Sequence, residues 1–233
     1  PAPPGPEAAL SFLSKDLRLS LRDPIHRGVF ISAWLVVLLP QVITLLFGAE
    51  LGVLVRTRLG EQNALGVGCF FLGLSVMLAS ALWMPLEARA IDWLRVSGVE
   101  PRALLWRKAF AASLQALLLS LPVCALLLQQ TRRSHLRWQP LWLIPYALTI
   151  AWFMVGDTAA RLPESRRDTR PVQLRSIYAG YLLVLLASVV LPISSGLSAL
   201  TLLFLILVAR ARLRIALGDV AGRQLQSGVQ HHL

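Results

Sequence analysis

Long apolar runs separated by short basic clusters set the pattern of this chain. Runs at about 28–48, 64–86, 109–128 and 141–160 each supply roughly the 20 mainly apolar residues that a helix needs to cross a hydrocarbon core. Pro40 falls inside the first run, where a membrane helix tolerates it. A fifth run, 178–209, contains no charged residue. As one helix it would measure about 48 Å, too long for a core of about 30 Å. It is interrupted by Leu191-Pro192-Ile193-Ser194-Ser195-Gly196, a turn-forming sequence. It is therefore expected to fold as a tight hairpin, either two short spans or a span with a re-entrant turn. The pattern predicts an all-α, polytopic membrane bundle of about six transmembrane helices over 28–209, with a tail at 210–233.

Before the first run, Leu10, Leu13, Leu17 and Leu21 recur at helical spacing and form one apolar stripe. Lys15, Asp16, Arg18 and Arg22 accompany it, which predicts an interfacial amphipathic helix over 10–27. Asp23-Pro24 is expected to end the helical stripe. The first residues, Pro1-Ala2-Pro3-Pro4-Gly5-Pro6, have linker composition. They lack the apolar stretch of a signal peptide, so 1–9 is expected to be a linker joined to a preceding segment.

The connection 87–108, EARAIDWLRVSGVEPRALLWRK, is longer than a plain loop. Ala90, Ile91 and Leu94 keep helical spacing, Ser97-Gly98 breaks it, and Pro101 restarts it. Proline is favoured at the first helical position. The segment reads as helix, turn, helix, an ordered element large enough to serve as a docking surface.

Charge orients the bundle. The net charge is +11, with only 15% charged and 56% hydrophobic residues and a mean hydropathy of +0.63. A nucleic-acid partner is not expected, because the basic residues are scattered between apolar runs and form no single patch. Every Lys and Arg lies outside the six runs. With both termini in the cytoplasm, Lys15, Arg18, Arg22, Arg27, Arg89, Arg95, Arg102, Arg107, Lys108, Arg161, Arg166, Arg167, Arg170, Arg175, Arg210, Arg212, Arg214 and Arg223 fall inside, leaving Arg56, Arg58, Arg132, Arg133 and Arg137 outside. The positive-inside bias favours this orientation and places the protein in the cell (inner) membrane as a multi-pass chain. Trp138 and Trp142 stand where an interfacial aromatic belt is expected.

Candidate chemistry is sparse. Asp157 is the one acid well inside an apolar run, and intramembrane acids are functional candidates by default. Arg161 follows at i+4, on the same helix face, so a structural ion pair is the favoured reading. His26, His135, His231 and His232 lie apart and give no metal cluster. Cys69 and Cys124 sit in apolar runs as small packing residues. Ser75 with Ala79, and Ala112 with Ala116, offer four-residue spacings for close helix packing. No catalytic constellation and no resident cofactor are expected.

The residues resemble the ABC-2 type permeases of ATP-binding-cassette exporters. Lys15-Asp16-Leu17-Arg18 is similar to the start of that family's elbow helix. Glu87, Asp92, Trp93-Leu94, Gly98-Val99, Leu104 and Lys108 fall in the order of its coupling segment between the second and third spans. Two departures stand out. Arg89-Ala90-Ile91 occupies the place of the usual Gly-Thr-Leu, and Gly98 that of a proline.

The resemblance implies a six-span permease unit that pairs with a second one, an identical chain or a linked half. It also implies that the pair moves a substrate with ATP hydrolysed by a separate ATP-binding-cassette ATPase subunit. Glu87, Arg89, Asp92, Trp93, Leu94 and Arg95 would then form the ATPase docking surface, and membrane lipid would surround the spans. Consistently, neither Lys15 nor Lys108 stands in a Gly-Lys-Ser/Thr phosphate loop. A non-transporting membrane scaffold and an intramembrane enzyme stay open as alternatives. The substrate is not readable from the spans.

Overall fold

The computed structural model describes residues 58–81, 101–131, 138–161 and 170–230, together with Arg22, Pro24, Arg27, Gly28, Ile31, Ser32, Trp34 and Leu35. The described residues are all-α. In chain order the helices are α1 (Arg58–Ala81), α2 (Pro101–Gln130), α3 (Leu143–Arg161), α4 (Arg170–Val190) and α5 (Ser195–Gln230), with a 3-10 turn, Gln139–Trp142, leading into α3. By length and composition, Ala103–Gln129 and Gln139–Arg161 are able to cross a membrane; the apolar stretches Leu65–Ala81 and Leu174–Val190 are shorter.

Local chemistry explains where the helices begin and end. Pro101 opens α2, as its fixed φ and missing N–H suit a first helical position. The helix then runs without a break through Lys108 into the third apolar run, so 101–108 of the expected coupling segment forms the first two turns of α2. Pro122 lies inside α2, and such prolines persist in apolar bundles when hydroxyls and neighbouring helices relieve the lost bond. At the far end of α2, Thr131 closes the last turn, its N and Oγ1 both donating to the Leu127 carbonyl at 2.9 and 2.8 Å.

The hairpin forms at the expected place. Residues 191–194 break the apolar run. Ser194 caps α5, its Oγ accepting from Leu197 N at 3.2 Å. The buried Ser198 Oγ lies 2.8 Å from both the Leu191 and Ser194 carbonyls, stitching the two arms together. The second arm does not stop at the basic cluster. Residues 210–230, expected as a tail, continue α5 as one helix.

Helix α3 is the centre of the bundle and packs against α1, α2, α4 and α5. Its Tyr146, Ala147, Ile150, Ala151, Met154 and Val155 are fully buried. Neighbours approach closely at glycines. A Cβ on Gly68 would stand 2.9 Å from Leu127 of α2, and one on Gly180 of α4 would stand 2.7 Å from the Met154 sulfur. The expected small-residue pairs Ser75/Ala79 and Ala112/Ala116 are also buried.

The outer faces are apolar. On α2 they present Phe110, Leu114, Leu118 and Leu121, and on α4 Tyr178, Leu182, Leu186 and Val189. Both series keep helical spacing.

One expectation needs correction. Arg22 and Pro24 are both helical, as are Arg27, Gly28, Ile31, Ser32, Trp34 and Leu35, so Asp23-Pro24 does not end helical conformation there. Proline is as well suited to a first helical turn as to a stop. Trp34 packs partly buried on the core. The rest of the expected elbow helix and first span lies outside the described residues.

Candidate functional site

The helices run alternately up and down. On α2 and α3 this follows from two contacts. Cys124 Sγ donates to the Pro140 carbonyl at 3.3 Å near one end. Trp152 Nε1 donates to Ser113 Oγ at 2.6 Å nearer the other. Five residues before Ser113 stands Lys108 and five after Trp152 stands Asp157, so on these antiparallel helices the two occupy about the same level. Lys108 is 1% exposed and Asp157 is fully buried. Lys108, at the end of the expected helix–turn–helix segment, is packed at the base of α2.

Asp157 joins three helices. Its Oδ2 accepts from Arg161 Nε on α3 at 2.8 Å and from Ser176 Oγ on α4 at 2.7 Å. Its Oδ1 faces Arg212 Nε of α5 at 3.2 Å, an ion pair without hydrogen-bond geometry. The two arginine side chains keep 22% and 37% of their surface exposed, whereas the carboxylate they meet is fully buried.

Gly156 makes this possible. A Cβ there would meet Leu213 N at 3.0 Å and the Arg212 carbonyl carbon at 3.3 Å. The backbones of α3 and α5 therefore approach as closely as a glycine permits, and Arg212 is carried up to the carboxylate.

The Asp157–Arg161 pair is the one its spacing predicts. Ser176 and Arg212 are not legible in that way: Arg212 lies in what reads as a solvated basic tail, and Ser176 is an ordinary hydroxyl near a helix start. The only sequence signal is the small residue beside the acid, Gly156-Asp157, which permits a close neighbour.

Chemically the arrangement holds helices together. Both carboxylate oxygens are engaged by cations or a hydroxyl, which suits a positional role. Breaking such a buried pair by removing one partner is costly, on the order of 3–5 kcal/mol, whereas its net contribution against an apolar replacement is small. The pair therefore fixes the register of α4 and α5 on α3 more than it adds stability.

The basic residues gather at this end. Arg102, Arg107 and Lys108 open α2, Arg161 closes α3, Arg170 and Arg175 open α4, and Arg210, Arg212 and Arg214 lie on α5 at the Asp157 level. At the other end a small crevice is lined by Leu65, Cys69, Gln139, Trp142, Leu143, Leu191 and Pro192. Neither atom of the buried Gln139 amide has a hydrogen-bond partner among the described residues. Cys69 and Cys124 are buried free thiols.

Of the other expected site residues, Arg22 is helical and exposed. Lys15, Asp16 and Arg18, the docking residues Glu87, Arg89, Asp92, Trp93, Leu94 and Arg95, and all four histidines lie outside the described residues. Among the described residues no three His, Cys, Asp or Glu side chains gather as a metal site. No family model, curated protein or solved structure matches this chain.

Proposed function

We propose that the chain is the membrane-spanning permease unit of an ABC exporter, crossing the bilayer six times with both termini in the cytoplasm. A partner ATPase subunit supplies the energy, and a second six-span unit completes the pathway. Membrane insertion is supported by the apolar outer faces of the bundle. Ser75, Ser120, Asp157, Thr158, Ser176 and Ser198 are buried within.

The α4–α5 hairpin has the length for two crossings. From Arg175 to Val190 is about 22 Å of helix rise, and from Ser195 to Arg210 about 22 Å, against a core of about 30 Å that thins or tilts to fit. The hairpin thus acts as two short spans, with basic residues at both feet.

The observation that carries the transport reading is the continuity of α2. The expected docking segment leads into Pro101, and from there one helix runs to Gln130. Leu104, Leu105 and Lys108 are packed at its base. A push on the segment before Pro101 reaches α2 at a rigid, packed base. The Asp157 junction then makes α3, α4 and α5 respond as one body. This is what coupling a cytoplasmic motor to a helix bundle requires.

The test is co-purification of an ATP-binding-cassette ATPase with this chain, with coupling of its hydrolysis to transport. Trp93→Ala and Asp92→Arg are expected to weaken ATPase binding and uncouple hydrolysis while leaving membrane expression intact. Truncated interface tryptophans commonly cost on the order of 2 kcal/mol or more. Normal binding and coupling in both variants would remove the exporter reading.

A further inference from the structure

The run Arg210-Ala211-Arg212-Leu213-Arg214 divides its cations between two faces of α5. Arg212 turns inward to Asp157. Arg210 and Arg214 are four residues apart, share one helix face and are exposed. Neither makes an ion pair among the described residues. Along the same face lie Leu203 and Leu207, each 55% exposed. One line on α5 therefore passes from two bare leucines to two bare guanidinium groups, over about 17 Å of helix.

Aromatic side chains mark the same level. Tyr178 on α4 is 69% exposed, two residues from Ser176, which bonds Asp157. Trp106 and Trp152 are exposed and meet edge to face at 6.1 Å, bracketing the Lys108–Asp157 level on α2 and α3. Exposed Trp and Tyr with amphipathic rings concentrate where hydrocarbon gives way to headgroups. Arg210 and Arg214 thus stand at headgroup depth.

We infer that Arg210 and Arg214 hold the phosphate of an anionic phospholipid, whose acyl chain lies along Leu207 and Leu203. The inference rests on the membrane reading above. Guanidinium groups present planar forks that match phosphate oxygens, and the pairing is strongest next to an apolar surface. The inner arginine already has its carboxylate, so the outer pair is the part of the cluster with charge left to offer.

The experiment uses the full chain, purified in a neutral detergent, with phosphatidylglycerol or phosphatidylcholine added. Native mass spectrometry counts retained lipid, and thermal unfolding reports stabilisation. Wild type should retain phosphatidylglycerol and unfold at a higher temperature with it, and phosphatidylcholine should do neither. In Arg210→Gln/Arg214→Gln the apparent affinity should fall about tenfold or more, since hydrogen bonds to charged groups supply on the order of such a factor each. Arg58→Gln/Arg223→Gln, which removes the same charge at the remote ends of α1 and α5, should behave as wild type.

Equal phosphatidylglycerol retention in the Arg210/Arg214 variant overturns the site. Equal retention of phosphatidylcholine by wild type overturns the headgroup assignment. A matching thermal shift with inorganic phosphate alone overturns the lipid assignment in favour of a free anion. Carbonate extraction of wild-type membranes separates these outcomes from failure of the underlying reading, because release into the supernatant would reject membrane insertion itself.

Discussion

Gly156 of α3 lies directly on the backbone of Leu213 in α5, so that even a methyl group there would stand 3.0 Å from the Leu213 nitrogen. Backbone is a poor cushion, because moving it moves a whole helix. Gly156→Leu is therefore expected to force α3 and α5 apart and to draw Arg212 away from Asp157. Overpacking of this kind typically costs about 1–3 kcal/mol. Gly218 of α5 provides the contrast, since nothing lies within 4 Å of a Cβ there. Gly218→Ala is expected to stabilise α5 by up to about 1 kcal/mol through helix propensity. Thermal unfolding of the two variants in one detergent checks both signs.

The Asp157 junction predicts an asymmetry between its partners. Removing Arg161 and Arg212 together leaves a fully buried carboxylate with Ser176 alone, and should cost on the order of 3–5 kcal/mol. Asp157→Asn should cost less, because the two arginines it leaves are partly exposed and can turn to water. In the triple variant Asp157→Asn/Arg161→Gln/Arg212→Gln, much of the loss should return. The measurement is a mutant cycle of unfolding midpoints. Additive losses across the cycle would mean that the three side chains do not act together.

Topology is open to a direct assay in intact cells. The native thiols Cys69 and Cys124 are both buried and should give little background. A cysteine replacing Arg56 or Arg133 should react with an impermeant reagent added outside. One replacing Arg102, Arg167 or Arg223 should react only after permeabilisation. Outside labelling at position 223 would leave an odd number of crossings.

Features written in local chemistry were legible in the sequence. The hairpin break follows from Pro192 and the serines after it. The start of α2 follows from Pro101, and the Asp157–Arg161 pair from four-residue spacing on one helix. Features that depend on which helix lies beside which were not. Arg212 is indistinguishable from its neighbours Arg210 and Arg214 until Gly156 brings α5 against α3. The helix through Lys108 follows from Pro101, but the burial of its side chain depends on the neighbouring helices. Pro24 fits either side of a helix boundary, so composition alone could not assign it.

Helix α5 continues for 18 residues past Arg212, to Gln230, about 27 Å of further rise. The close seat on Gly156 makes a fulcrum near its middle. A tilt of about 5° there would carry the far tip roughly 2 Å sideways, on that rise per residue. The arm beyond Arg212, 18 residues, nearly equals the 17 from Arg212 back to Ser195 at the opposite turn. A small rotation at that seat therefore shows at Gln230 as a sideways shift, and a grip on that end returns as torque on the junction.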